Sequence, residues 1–334
     1  MKVLIATSSR TVREGLPKLK KMMPIDCEFV VPKTGSDEEL ASLARDVEVI
    51  LCVRLSADVV NAAKKLRLIQ KTGAGVDAIP FHSLEKRDVY VANTSGANAV
   101  PVAEGAFALL IALAKRIIPR HIGMQEGIIR RERGIQLKGK TLGILGLGSI
   151  GTEVAERGLA FGMKVAAMKR HPSEAKREEL GLTFLGGPND LGHILETSDF
   201  VVITLPLTPE TRGLIGEKEL KMMKKTAYLV NIARAAIIQE EPLYRALKEK
   251  WIAGAALDVW YIPHWWDPKW LTAETKAEPS RYPIHKLENV IATPHNMGST
   301  DIRSPKTLEI IAENITRIAK GEAPINQVDK ALQY

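Results

Sequence analysis

Cysteine is nearly missing from this sequence: 334 residues carry two, Cys27 and Cys52. A disulfide-built scaffold is therefore excluded, and both thiols are expected to be reduced and buried in a cytoplasmic protein. Aromatic residues make up only 5% of the chain, and no apolar run approaches the roughly 18 residues that mark a membrane helix. No membrane partner is expected. The opening run MKVLIATSSR begins at once with a short apolar strand. It shows neither the apolar core of a signal peptide nor a lipidation motif, which also points to the cytoplasm. Internal repeats, low-complexity stretches and metal-ligand spacings are missing as well. With 45% hydrophobic and 26% charged residues, the composition excludes a disordered or collagen-like chain.

What is present is a surplus of positive charge, +8 overall. Its densest cluster holds Arg120, Arg130, Arg131, Arg133, Lys138 and Lys140 against Glu126 and Glu132. No aromatic residue interleaves with these cations, as a single-strand nucleic-acid platform would require. The segment reads as a solvated connector, and the surplus as suited to a small anionic substrate rather than to nucleic acid.

Short β-rich runs alternate with helical patterns. Strands are expected at Val3–Ala6, Glu48–Val53, Arg67–Thr72 and Val89–Asn93, with helices over Thr11–Met22, Asp37–Arg45 and Ala57–Lys64. A long apolar helix, Val100–Ile118, is expected to stop at Pro119. A second series has strands from Thr141, then at Lys164–Met168, Asp199–Leu205, Thr226–Asn231, Ala253–Val259 and Asn289–Pro294. A last helix covers Ser304–Lys320. Such alternation implies α/β architecture with parallel sheets covered on both faces. One α/β domain is read as inserted into another, with crossings near Asn98–Pro101 and His295–Asp301. A cleft between the two is the expected place for a site.

The strongest local signal is Gly146-Leu147-Gly148-Ser149-Ile150-Gly151, which follows a strand and opens a helix. That context turns a weak G-x-G-x-x-G pattern into a dinucleotide-binding turn. Gly146 permits the tight turn, Gly148 lets backbone approach a pyrophosphate, and Gly151 lets helix pack on strand. The next strand ends in Met168-Lys169-Arg170-His171, with no acid for a ribose 2′-hydroxyl. Two fixed cations there suit the 2′-phosphate of NADP, so NADP is expected to be preferred over NAD.

Further motifs, in order along nearly the whole chain, give a resemblance to the D-isomer-specific 2-hydroxyacid dehydrogenases, of glyoxylate or hydroxypyruvate reductase type. Thr72-Gly73-Ala74-Gly75-Val76-Asp77 resembles the loop that holds the substrate carboxylate on backbone N–H groups. Asn98 with Val102-Ala103-Glu104 resembles the start of the interdomain helix. Leu205-Pro206-Leu207-Thr208 with Thr211, and Leu257-Asp258-Val259, resemble cofactor-side segments. Asn231-Ile232-Ala233-Arg234 and Thr293-Pro294-His295 resemble the segments bearing the catalytic arginine and histidine. The resemblance implies two Rossmann-like, doubly wound parallel-sheet domains. Residues 1–98 and 296–334 would form a flavodoxin-like substrate domain, and residues 99–295 the dinucleotide domain.

Expected substrate contacts are Arg54, Ala74, Gly75, Val76 and Asn98. Beside the Gly-rich turn (Gly146, Gly148, Ser149, Ile150, Gly151), expected cofactor contacts are Lys169, Arg170, Leu205, Pro206, Thr211, Ile232, Asp258 and Gly298. Arg234 would anchor a 2-keto acid and polarise its carbonyl, and His295 would donate the proton. A homodimer is implied too. The competing reading is a dinucleotide-sensing or scaffolding protein that kept the fold and lost turnover.

One departure is sharp. Twenty-nine residues past Arg234 and five past Asp258, where the family carries a glutamate behind its histidine, stands Pro263. Three readings compete. His264 takes the place by a one-residue shift, or Asp267, Glu274 or Glu278 folds back, or no acid backs His295 and it titrates near about 6.5. All five tryptophans fall between Trp251 and Trp270. They read either as an apolar wall at the site or as loop packing and a subunit contact. The run Asp258-Val259-Trp260-Tyr261 is also similar to formate dehydrogenases, but the glutamine those enzymes use is lacking between Gln239 and Gln327.

Overall fold

A computed structural model describes residues 1–7, 9–129, 131–262, 278–300 and 305–334, residues 10 and 11 by their backbone alone. Pro263, His264, Trp265, Trp266, Asp267, Trp270, Glu274 and Arg130 lie outside the described residues. The chain divides into two compact units, Met1–Ala97 with Asp301–Tyr334, and Asn98–Thr300.

In the first unit the strands are β1 (Lys2–Ala6), β2 (Glu28–Val30), β3 (Val49–Cys52), β4 (Leu68–Lys71) and β5 (Tyr90–Ala92). They form one parallel sheet in the order β2-β1-β3-β4-β5. Alternate residues serve opposite faces, as the two-residue period of a strand requires. Leu4, Ile50, Cys52 and Ile69 pack beneath α2 (Asp37–Leu43) and α3 (Ala57–Ala62). Val3, Ile5, Val49, Leu51 and Leu68 pack against α1 (Arg10–Met22) and the C-terminal helix, Pro305–Ala319. Buried Asn314 pins that last helix: its amide donates to Gln70 Oε1 at 2.7 Å, and its oxygen accepts from Ile325 N at 2.7 Å. Both cysteines are free; Cys52 is buried as expected, but Cys27 is only half-buried. Burial pushes the Cys52 thiol up to about 11, so it is an inert core residue.

The second unit holds β6 (Thr141–Leu145), β7 (Lys164–Met168), β8 (Phe184–Gly186), β9 (Phe200–Ile203), β10 (Tyr228–Asn231), β11 (Gly254–Leu257) and β12 (Val290–Ala292). All seven strands are parallel, in the order β12-β11-β10-β9-β6-β7-β8. On one face Leu142, Ile144, Phe200, Val202 and Val230 meet α4 (Ala99–Lys115) and α6 (Ser149–Ala160). On the other, Leu145, Val201, Ile203 and Leu229 meet α8 (Leu191–Thr197), α9 (Glu217–Met222) and α10 (Glu240–Lys248). The α/β class and both parallel sheets expected from the sequence are therefore present. β2 and β8 were not expected; each is a three-residue strand at an edge of its sheet.

Pro119 does not end the long helix. The break falls at Arg116, whose left-handed backbone (φ 52°) caps α4. Pro119 is the third residue of α5 (Ile117–Gln125). A first-turn residue has no intrahelical acceptor for its N–H, so proline costs little there. The basic segment is accordingly helical at its start. It continues in irregular chain tied back by Arg116 Nη2–Glu132 Oε2 (2.6 Å) and Ile135 N–Ala114 O (2.7 Å).

Candidate active site

The second sheet gathers the expected dinucleotide and catalytic residues along one edge, where its strands end. The Gly-rich turn follows β6, Lys169-Arg170 follows β7, and Leu205–Thr211 follows β9. Arg234 follows β10, Asp258 follows β11, and His295 follows β12. In open parallel sheets ligands bind at these carboxyl ends, where the strand order reverses. Here the reversal lies between β6 and β9.

The turn has the form a pyrophosphate needs. Gly146 sits at φ 109°, and a Cβ on it would come within 2.9 Å of Leu205 N. A Cβ on Gly151 would meet Gly146 O at 2.2 Å. Around exposed Gly148 there is open space, with no atom within 4 Å of a built Cβ. Gly148 also caps α6 with no side-chain bond, leaving the first-turn N–H groups of Ser149 and Ile150 for an anion. These residues fit a dinucleotide. The loop after β9 is knotted on itself: Thr211 Oγ1 donates to Pro206 O (2.6 Å) and accepts from Thr208 N (2.8 Å).

Arg234 is half-buried and stands where β10 has just ended. Buried Asn231 shapes its loop, accepting from Ala233 N and donating to Arg234 O, both at 3.0 Å. Ile232 packs into the core below. The Arg234 guanidinium gives one donor, Nη1, to the Ala233 carbonyl at 2.8 Å.

His295 has a left-handed backbone, φ 54°, which costs a non-glycine residue of order 1 kcal/mol and persists only where neighbours enforce it. Asp258 does the enforcing. This buried carboxylate accepts from Thr293 Oγ1 (2.7 Å), Asn296 N (3.0 Å) and Met297 N (3.2 Å). Trp260 adds a second tie, its indole donating to Thr293 O at 2.9 Å. Gly298 closes the turn, and a Cβ there would press within 2.8 Å of Val102 Cγ2. Asp258→Ala would strand three donors, at a cost of about 2 kcal/mol, or roughly 4–8 °C in Tm for a unit of this size. A melting temperature within about 1 °C of wild type would show that these bonds do not hold the turn.

Two described tryptophans serve packing. Trp260 lies in the second unit's core. Trp251 carries Lys221 and Arg245 over its ring, at 4.6 and 5.1 Å, and donates to Glu249 at 3.0 Å. Glu278 is engaged away from the role suggested for it, bonded to Lys286 Nζ at 2.8 Å and 3.4 Å from His285 Nε2. Lys286 holds its carboxyl below the usual range.

In the first unit the Thr72–Asp77 loop follows β4. Its backbone is braced by Thr72 N–Cys52 O (3.0 Å) and Asn93 Nδ2–Ala74 O (2.9 Å). Among the described residues, the N–H groups of Gly73, Ala74, Gly75 and Val76 donate no hydrogen bond. These backbone donors are therefore left for an acceptor outside the loop. Arg54 is exposed just past β3, and Asn98 belongs to the second unit, at the start of α4.

An acid missed in the sequence stands beside the cation pair. Glu210, from the β9 loop, pairs through Oε2 with Nη2 of Arg170. Forty residues separate the two, and only the adjacency of β9, β6 and β7 brings them together.

Residues 107–297 match the family described as D-isomer specific 2-hydroxyacid dehydrogenase, NAD binding domain. The chain belongs to the D-2-hydroxyacid dehydrogenases. It is 33% identical over 345 residues to a glyoxylate reductase of Korarchaeum cryptofilum, covering 99% of this chain and 97% of that one. A glyoxylate reductase of Aeropyrum pernix is 37% identical over 305 residues, covering 88% and 86%. Among solved structures, a D-isomer specific 2-hydroxyacid dehydrogenase from Xanthobacter autotrophicus Py2, in complex with NADPH and MES, superposes with a TM-score of 0.80. It is 26% identical and covers 100% of this chain and 99% of that one. The resemblance read from the ordered motifs thus holds, and the chain is an NAD(P)-dependent 2-hydroxyacid dehydrogenase. Among the described residues no helix is long and apolar enough to cross a membrane.

Proposed function

We propose that the enzyme reduces small 2-keto acids of the glyoxylate or hydroxypyruvate type and prefers NADP(H). The observation that carries this reading is the single sheet edge bearing the Gly-rich turn, Lys169-Arg170, Arg234 and His295. The Gly-rich turn and the first turn of α6 hold the pyrophosphate. Lys169 and Arg170 hold a 2′-phosphate. When bound, the dinucleotide supplies a hydride at its nicotinamide C4. Arg234 orients the keto acid and draws charge toward its carbonyl oxygen. His295, as imidazolium, delivers a proton to that oxygen, and the neutral ring takes it back in the oxidative direction. From the first unit, the N–H groups of Gly73–Val76 are assigned to a carboxylate. The glyoxylate reductases among its relatives, and the NADPH held by the Xanthobacter enzyme, support these assignments.

The test is loss of reduced-nicotinamide absorbance with NADPH or NADH and a panel of 2-keto acids, alongside the Kd of each cofactor. Tighter NADPH binding is expected, by about tenfold for charge-assisted phosphate contacts. Equal affinities, or tighter NADH, would refute the preference. Tight binding without turnover on any keto acid would favour the sensing or scaffolding reading.

A homodimer through the second unit is part of this reading. Its support is an exposed apolar stripe on and after α5: Ile117, Ile118, Ile122, Met124 (62% exposed), Ile128 and Ile129 (70% exposed). Such a stripe marks an interaction surface. The protein is expected to elute at twice the chain mass of 36.7 kDa, and Ile122→Asp to shift it toward monomer. Elution of wild type as a monomer at micromolar concentration would count against it.

A further inference from the structure

The coenzyme preference proposed above treats Lys169 and Arg170 as equals, but their surroundings differ. Lys169 has no acidic partner among the described residues, whereas Arg170 is paired with Glu210. The place of this pair matters. Arg170 leaves the end of β7 and Glu210 comes from the loop after β9, while β6, which runs into the Gly-rich turn, lies between those strands. The ion pair therefore spans the turn. The loop that presents Glu210 is held by the Thr208–Thr211–Pro206 bonds and packs on Gly146 through Thr204 and Leu205. The Glu210 side chain remains 65% exposed, so its carboxylate is open to an incoming ligand.

We propose that Glu210 is a specificity-determining residue for the coenzyme, supplying from β9 the ribose-side acid that the end of β7 lacks. A 2′-phosphate must displace Glu210 to gain Arg170, and meets the carboxylate as a like charge. A 2′-hydroxyl can instead donate to Glu210 while Arg170 stays paired. The residue narrows the NADP preference that two uncompensated cations would give, and leaves NAD usable. This inference rests on the reading of Lys169-Arg170 as the 2′-phosphate site.

The test is a double-mutant cycle on the full chain, read as Kd for NADPH and for NADH by fluorescence titration without substrate. An exposed pair is worth up to about 1 kcal/mol, or about fivefold in Kd. Glu210→Gln is expected to tighten NADPH about fivefold and to weaken NADH about threefold. Arg170→Ala is expected to weaken NADPH about tenfold and to abolish the NADPH gain of Glu210→Gln. Glu174→Gln, which removes a nearby surface acid bonded to Arg177, is expected to leave the ratio of the two Kd values unchanged. If Arg170→Ala weakens NADPH but Glu210→Gln moves neither Kd, the role of Glu210 is refuted and the phosphate site stands. If Glu174→Gln shifts the ratio as much as Glu210→Gln does, the effect is bulk charge and the proposal also fails. If neither Arg170→Ala nor Lys169→Ala weakens NADPH, the phosphate site itself is wrong and the proposal falls with it.

Discussion

Replacing His295 with alanine is expected to lower kcat for keto-acid reduction by about 10²–10⁴-fold, the usual worth of a positioned general acid. The Kd for NADPH should stay within about twofold, because the Gly-rich turn and Lys169-Arg170 lie at the ends of other strands. The pH profile identifies the loss as proton delivery. On the proposed mechanism reduction needs the protonated imidazole, so the wild-type rate is expected to fall about tenfold per pH unit above the histidine's pKa. In the opposite direction the neutral ring is the active form, and the rate falls as pH drops below that pKa. His295→Ala should remove both limbs. A variant that keeps the wild-type profile at lower rate would show that His295 supports the turn but moves no proton.

Arg234→Ala should cost about as much, but with a different split. A guanidinium that clamps a carboxylate and polarises a carbonyl acts in both ground and transition states, so KM should rise while kcat falls. Loss of charge-assisted, paired hydrogen bonds is worth about 3–5 kcal/mol, which is a drop in kcat/KM of roughly 10²–10⁴-fold. Arg234→Lys restores the charge without the planar fork and should recover only part of this, remaining at least about tenfold impaired. Recovery to wild type by lysine would mean that charge alone matters. No effect of alanine on KM or kcat would remove Arg234 from the site. Asn231 holds the Arg234 loop through two bonds at 3.0 Å, so a melting curve should accompany each variant.

The elements that could be read in advance were long or strongly patterned. β7 falls where its apolar run predicted, at Lys164–Met168, and the Gly-rich pattern opens a helix as expected, α6 from Ser149. The Gly-rich turn was legible because its three glycines answer separate steric demands, met at Gly146 and Gly151 by close backbone and at Gly148 by open space. The break at Arg116 was not, since a left-handed cap on arginine carries no local signal and Pro119 drew attention three residues too late. Asp258 was read as a cofactor contact. Its three bonds to the His295 turn could not be seen, because they join segments more than thirty residues apart.

Local chemistry thus determined the α/β class, the dinucleotide turn and the residue types at the site, because periodicity, glycine geometry and motif order act over a few residues. The tertiary structure decided which of those residues meet. Parallel strands place the ends of β6, β7, β9, β10, β11 and β12 along one sheet edge, and the chain leaves β8 on one side of β6 to resume with β9 on the other. That order alone sets Glu210 against Arg170 and Asp258 beneath His295. Charge balance and backbone strain at the site are sums over neighbours that only the folded sheet brings together.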